Sequence, residues 1–139
     1  MDLQAVSDKL EIHEQLARYA RGVDTRDWDL FKSVFTDDAE LDYSSAGIPA
    51  GTRDQIAAIF EQAFVGITMA QHIITNIEVD LAGDTAKVRA MFLNPMQIQG
   101  MADQSCCGGF YVHDFVRTSA GWKSAKVVEH NVWFQNAPR

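Results

Sequence analysis

The sequence predicts an α+β fold in which three helices pack on one face of a sheet, and three observations predict it. Apolar residues recur at steps of three and four through the N-terminal segment and again from Thr52 to Gly66. One alternating stretch, Glu40-Leu41-Asp42-Tyr43, stands between these helices. From His72 onward, β-branched and alternating residues take over, broken by turn signals. At 139 residues, 47% hydrophobic and 22% charged, the chain is expected to form one domain over residues 1–139, large enough to bury a core and keep a pocket.

The first helix is marked by Val6, Leu10, His13, Leu16, Ala17, Ala20 and Val23, with Gly22 as its expected stop. A short second helix follows at Trp28, Phe31, Val34 and Phe35, capped by Thr25 or Asp27, so Asp24 falls in the joint between the two. Leu41 and Tyr43 share one face of the strand after it, and Gly47, Pro49 and Gly51 punctuate the loop from Ser44 to Gly51. Thr52 with Gln55 forms a capping box that opens the third helix, whose stripe is Ile56, Ile59, Phe60, Ala63 and Phe64, closed by Gly66. Breaks at Ala82-Gly83-Asp84, Asn94-Pro95 and Thr118 to Gly121 divide the remainder into four strands in antiparallel succession.

Charge narrows the range of partners. Twelve Lys plus Arg against nineteen Asp plus Glu give a net charge of -7, which opposes binding to nucleic acid or to an anionic membrane. The N-terminal ten residues are polar and acidic, and no run approaches the ~18 apolar residues of a membrane span. The two cysteines, Cys106 and Cys107, are adjacent and form no disulfide framework, which fits a reducing, cytoplasmic setting.

Among groups able to do chemistry, His13 lies on a helix stripe and reads as structural. His72, His113 and His130 fall on expected strands, where a curled sheet could point them inward with Tyr43 and Tyr111. Met69, Met91, Met96 and Met101, with Phe92, Phe110 and Trp133, could line a pocket for a flat apolar ligand or simply pack the core. No spacing for a metal site, phosphate loop, dinucleotide fingerprint or nucleophile elbow occurs, so neither a metal nor another cofactor is expected. Asp24 resists a purely structural reading, because a carboxylate between apolar segments is costly without solvent or a hydrogen-bond partner.

Tyr19-Ala20-Arg21-Gly22-Val23-Asp24, Trp28-Asp29-Leu30-Phe31, Phe35 to Glu40, His72 with Thr75-Asn76, and Tyr111 to Phe115 ending in Gly121-Trp122-Lys123 together resemble the SnoaL-like branch of the nuclear-transport-factor-2-like superfamily. That branch includes scytalone dehydratase, bile-acid dehydratase and hexachlorocyclohexane dehydrochlorinase. The resemblance implies a cone-shaped α+β barrel: three N-terminal helices in a strongly curved, mixed but mainly antiparallel sheet that leaves an apolar pocket. It also implies association through the outer face of the sheet, as a dimer or a trimer. In the catalytic members an Asp and a His stand at the positions matching Asp24 and His72 and face each other across the pocket. Tyr19 matches a tyrosine of the bile-acid dehydratase pattern, where the dehydrochlorinases carry a lysine. Val127 stands where those enzymes have an arginine, which moves dehydration or isomerisation ahead of halide elimination.

On that resemblance, Asp24 fixes the His72 tautomer, His72 acts as general base, and Tyr19 donates a hydrogen bond to a departing hydroxyl or an enolate oxygen. Trp28, Tyr43, Met91, Tyr111, His113 and His130 are the expected substrate-binding residues. The expected activity is a cofactor-independent lyase or isomerase acting on an apolar cyclic or polyketide-like substrate, with dehydration first. The alternative is a non-catalytic small-ligand-binding domain of the same fold. Epoxide hydrolysis ranks last, because it needs further carboxylates in the pocket, and Glu78, Asp80 and Asp114 sit among polar residues.

Overall fold

The computed structural model describes residues 1–138. Its first helix, α1 (Leu3–Asp24), starts where the Asp2 carboxylate accepts a hydrogen bond from the Ala5 amide at 2.8 Å. The expected apolar stripe holds only in the second half of α1: Leu16, Ala20 and Val23 are buried, joined by Ile12 and Tyr19, whereas Val6, Leu10, His13 and Ala17 are exposed. The rest of the buried face is polar and hydrogen-bonded. Asp8 accepts from Arg117 Nη1 and Nη2 at 2.8 and 2.9 Å and from Trp122 Nε1 at 3.0 Å, and Gln15 Nε2 donates to the Trp122 carbonyl at 2.8 Å. Arg117 holds the Asp8 carboxyl well below the usual carboxylate range.

Gly22 does not end α1, which continues to Asp24. A Cβ on Gly22 would lie 2.8 Å from the Phe31 amide nitrogen, so glycine here lets α2 (Trp28–Ser33) cross against the helix. Asp27, not Thr25, caps α2, by accepting from the Leu30 amide at 3.0 Å. Then come β1 (Phe35–Asp42), β2 (Gly51–Thr52) and α3 (Arg53–Ala63), the last opened by both halves of the Thr52–Gln55 capping box. The remaining strands are β3 (Ile67–Ala70), β4 (Ile73–Ala82), β5 (Thr85–Ile98), β6 (Ser105–Thr118) and β7 (Gly121–Gln135).

The expected break at Asn94-Pro95 does not occur, since both residues lie inside β5 and the turn falls at residues 99–104. The reason lies in the neighbouring strands. β3 and β4 share one edge of β5, with Ala70 opposite Met96 and Ile73 opposite Leu93, so Pro95 faces the gap between them. Its carbonyl points into that gap and accepts from the Gln71 amide at 3.1 Å, so its missing N–H removes no ladder bond.

The sheet order is β2-β1-β7-β6-β5-β3, with β4 also on β5; β1 and β7 run parallel and the other pairs antiparallel. The expected mixed, mainly antiparallel sheet is present, but it is open rather than closed as a barrel, with β2 and β3 at its ends. Ile12 and Leu16 of α1 pack on Val88, Ala90, Phe115 and Trp122, while a second cluster around Tyr19, Phe31, Phe35, Tyr43 and Phe60 supports the site.

Candidate functional site

Asp24 ends α1, and His72 stands in the two-residue link between β3 and β4 rather than on a strand as expected. The link leaves the sheet where Pro95 offers no amide, and this carries the imidazole to the end of the helix. Asp24 Oδ2 accepts the His72 backbone N–H at 2.7 Å, and Oδ1 lies 2.6 Å from His72 Nδ1. A carboxylate only accepts, so the geometry requires the proton on Nδ1 and leaves Nε2 as the basic nitrogen. Both side chains are largely shielded, with 19% exposure for Asp24 and 8% for His72.

His72 lines a cavity of about 340 Å³, at the lower end of ligand-binding cavities. Its walls are mostly apolar, with Val23, Phe60, Phe64, Ile67, Met96 and Ile98. The polar contributors are Tyr19, Tyr43, Tyr111, Asn94, Cys107, Glu129 and Asn131, and no Lys or Arg lines it among the described residues. The Tyr19 and Tyr43 hydroxyls hydrogen-bond at 2.7 Å, and the Tyr19 ring meets that of Tyr111 edge-on at 5.4 Å. Burial raises all three phenols well above their ordinary value, so they are neutral donors near neutral pH. No group of three His, Cys, Asp or Glu side chains suited to a metal occurs among the described residues.

The SnoaL-like domain profile matches residues 4–128. The chain belongs to the SnoaL-like family. An uncharacterised protein of Mycobacterium tuberculosis is 35% identical over 130 residues, covering 93% of this chain and 88% of that relative. A candidate scytalone dehydratase from Novosphingobium aromaticivorans superposes with a TM-score of 0.88 at 18% identity, covering 97% of this chain and 91% of the other. A hexachlorocyclohexane dehydrochlorinase from Novosphingobium barchaimii gives 0.86 at 19%, covering 97% and 93%. At these identities the two structures establish the shared fold.

Within this SnoaL-like chain, Tyr19, Tyr43, Tyr111 and His72 meet at one cavity, and Asp24 reaches it through His72. The other expected substrate-binding residues do not line it. Met91 faces outward on β5, 41% exposed, because the alternation turns Ala90, Phe92, Asn94 and Met96 inward. His130 faces outward and stacks on Phe110 with centroids 4.5 Å apart. His113 points inward but deep in the core, fully buried, with Nδ1 2.8 Å from Ser124 Oγ and burial pushing its pKa down to about 3. Trp28 packs behind the wall against Phe31, Phe60 and Phe64. Of the expected methionines, Met96 lines the cavity.

Sequence reasoning missed three polar groups. Asn94 and Asn131 line the cavity, and Glu129 lines it with Oε1 buried and without a hydrogen-bond partner among the described residues. Desolvation alone pushes the Glu129 carboxyl up to about 7. Cys107 lies close by, its thiol pushed up to about 11 chiefly by burial.

Proposed function

We propose that this protein is a cofactor-independent lyase or isomerase in which the Asp24–His72 dyad takes a proton from an apolar cyclic substrate, with dehydration as the reaction. The observation that carries this reading is the double contact of Asp24 with the His72 amide and Nδ1, which leaves Nε2 as the base beside an apolar cavity. Asp24 stabilises the imidazolium that forms, and the Tyr19–Tyr43 hydroxyl pair supplies a neutral donor for substrate oxygen. The absence of Lys and Arg from the described lining favours loss of water over loss of halide, since a departing chloride has no cation to meet. The outer face of the sheet exposes Ile73, Met91 and Leu93 as an apolar patch that suits a homo-oligomer, and the free thiols Cys106 and Cys107 suit a cytoplasmic protein.

The test is conversion of β-hydroxytetralone, a bicyclic β-hydroxyketone, to naphthol, followed by ultraviolet absorption. His72→Ala and Asp24→Asn lose ~10² to 10⁴ in turnover while circular dichroism stays unchanged. A His72→Ala variant at the wild-type rate, or a wild type that leaves the compound untouched, overturns the reading.

A further inference from the structure

Two buried polar side-chain atoms of the cavity residues have no partner among the described residues: Glu129 Oε1 on β7 and Asn94 Oδ1 on β5. An unpaired buried polar group is costly, and two residues of one cavity carrying such groups indicate polar atoms of a ligand that would satisfy them. Glu129 stands opposite Tyr111 in the β6–β7 register, and β7 is separated from the β3–β4 link carrying His72 by β6 and β5. The base and this carboxyl therefore come from well-separated parts of the sheet and line the same space.

We propose that Glu129 is the proton donor to the carbonyl oxygen of a ketone substrate, the acid that works with the His72 base. This rests on the reading of His72 as base and adds the acid. The groups around Glu129 fit the role. Cys107 and Tyr111 from β6, Tyr19 from α1, Tyr43 from β1, Asn94 from β5 and Asn131 from β7 line the cavity with it, and none is a cation that would hold the carboxyl ionised. Desolvation keeps the carboxyl protonated up to near neutral pH. An anionic substrate would meet no Lys or Arg among the described lining residues, whereas a ketone oxygen meets an acid with a proton to give.

In the first step the C–H bond next to the carbonyl breaks and its proton goes to His72 Nε2. Its electron pair forms the carbon–carbon double bond, while the carbonyl π pair moves to oxygen, which takes the Glu129 proton. The neutral enol then returns that proton to Glu129 as the carbonyl re-forms. The double-bond pair shifts to expel the β-hydroxyl, which takes the proton from His72 and leaves as water. Both groups end the cycle as they began, with no co-reactant.

The experiment is binding of α-tetralone, which carries the carbonyl but no leaving hydroxyl, measured by calorimetry at about pH 5.5 and about pH 8.5. If only the protonated carboxyl binds the ketone, wild-type affinity falls about 30-fold between these values, and Glu129→Gln, whose amide donates at both, binds with no such loss. The glutamate carboxyl resonance that titrates near neutral pH in the wild type is missing from this variant. A flat wild-type profile, the same loss in Glu129→Gln, or no saturable binding overturns the assignment. Because α-tetralone is not turned over, failure here leaves the His72 base standing, and that is judged separately by the β-hydroxytetralone rates.

Discussion

Replacing Glu129 by Gln stabilises the protein, and does so only where the carboxyl would ionise. The group ordinarily titrates at 4.5 and is pushed up to about 7 in the fold by desolvation. Its folded pKa lies above the unfolded one, so folding takes up a proton between these values. Its favourable contribution is complete below 4.5 and is lost as pH rises through about 7. At about pH 8 the loss amounts to ~3 kcal/mol from the full separation of the two pKa values, and at about pH 5 to under ~1 kcal/mol. Gln has nearly the same shape and no charge at either pH. Urea unfolding of wild type and Glu129→Gln therefore shows a gain of ~3 kcal/mol at the higher pH and little at the lower. An equal gain at both, or none at the higher, refutes the argument that burial raises this carboxyl. A group that costs stability wherever it ionises, yet lies in the cavity, is the expected mark of a residue kept for function.

Three further outcomes follow from the structure. Tyr19→Phe leaves the Tyr43 hydroxyl without its 2.7 Å partner and costs ~1–3 kcal/mol, as does Tyr43→Phe, while the double variant costs less than the sum; strict additivity in urea unfolding would exclude a shared hydrogen bond. Tyr19→Phe also slows β-hydroxytetralone turnover without unfolding, and an unchanged rate removes Tyr19 from the chemistry. His113, depressed from 6.5 to about 3 by burial, is neutral in the fold, so its contribution is full above 6.5 and drains as pH falls toward 3. About 2 kcal/mol is gone by about pH 5, and His113→Phe flattens that slope in pH-dependent unfolding.

What the sequence made legible was local. The Thr52–Gln55 box and the Asp27 cap act within four residues, and both are present. The phase of α1 was legible only where its buried face is apolar; around Asp8 and Gln15 that face is polar and satisfied by Arg117 and Trp122 from the far end of the chain, which periodicity cannot detect. Asn94-Pro95 read as a break because a proline inside a central strand ordinarily removes a ladder bond. Only the gap between β3 and β4, a tertiary feature, makes it harmless. That gap also sets His72 off the strand and within reach of Asp24.

The cavity-facing residues of β7 were hidden by a single inserted residue. Trp122 and Ser124 are both fully inward, so period-two alternation carried forward from them turns His130 inward and Glu129 out. The register against β6 slips at this point: Phe115 pairs with Ser124 but Asp114 with Lys126, leaving Ala125 as an extra residue. A bulge of one residue exchanges the two faces of everything after it. Val127, Glu129 and Asn131 therefore face inward, and His130 is sent out to stack on Phe110. One insertion thus accounts both for the histidine that misses the cavity and for the carboxyl that enters it. Deleting Ala125 removes only the extra residue, so Ser124, Val127 and Glu129 then alternate inward without interruption and the pH dependence of α-tetralone binding assigned to Glu129 is kept; its loss in calorimetry on this variant would refute the bulge as the cause of the phase change.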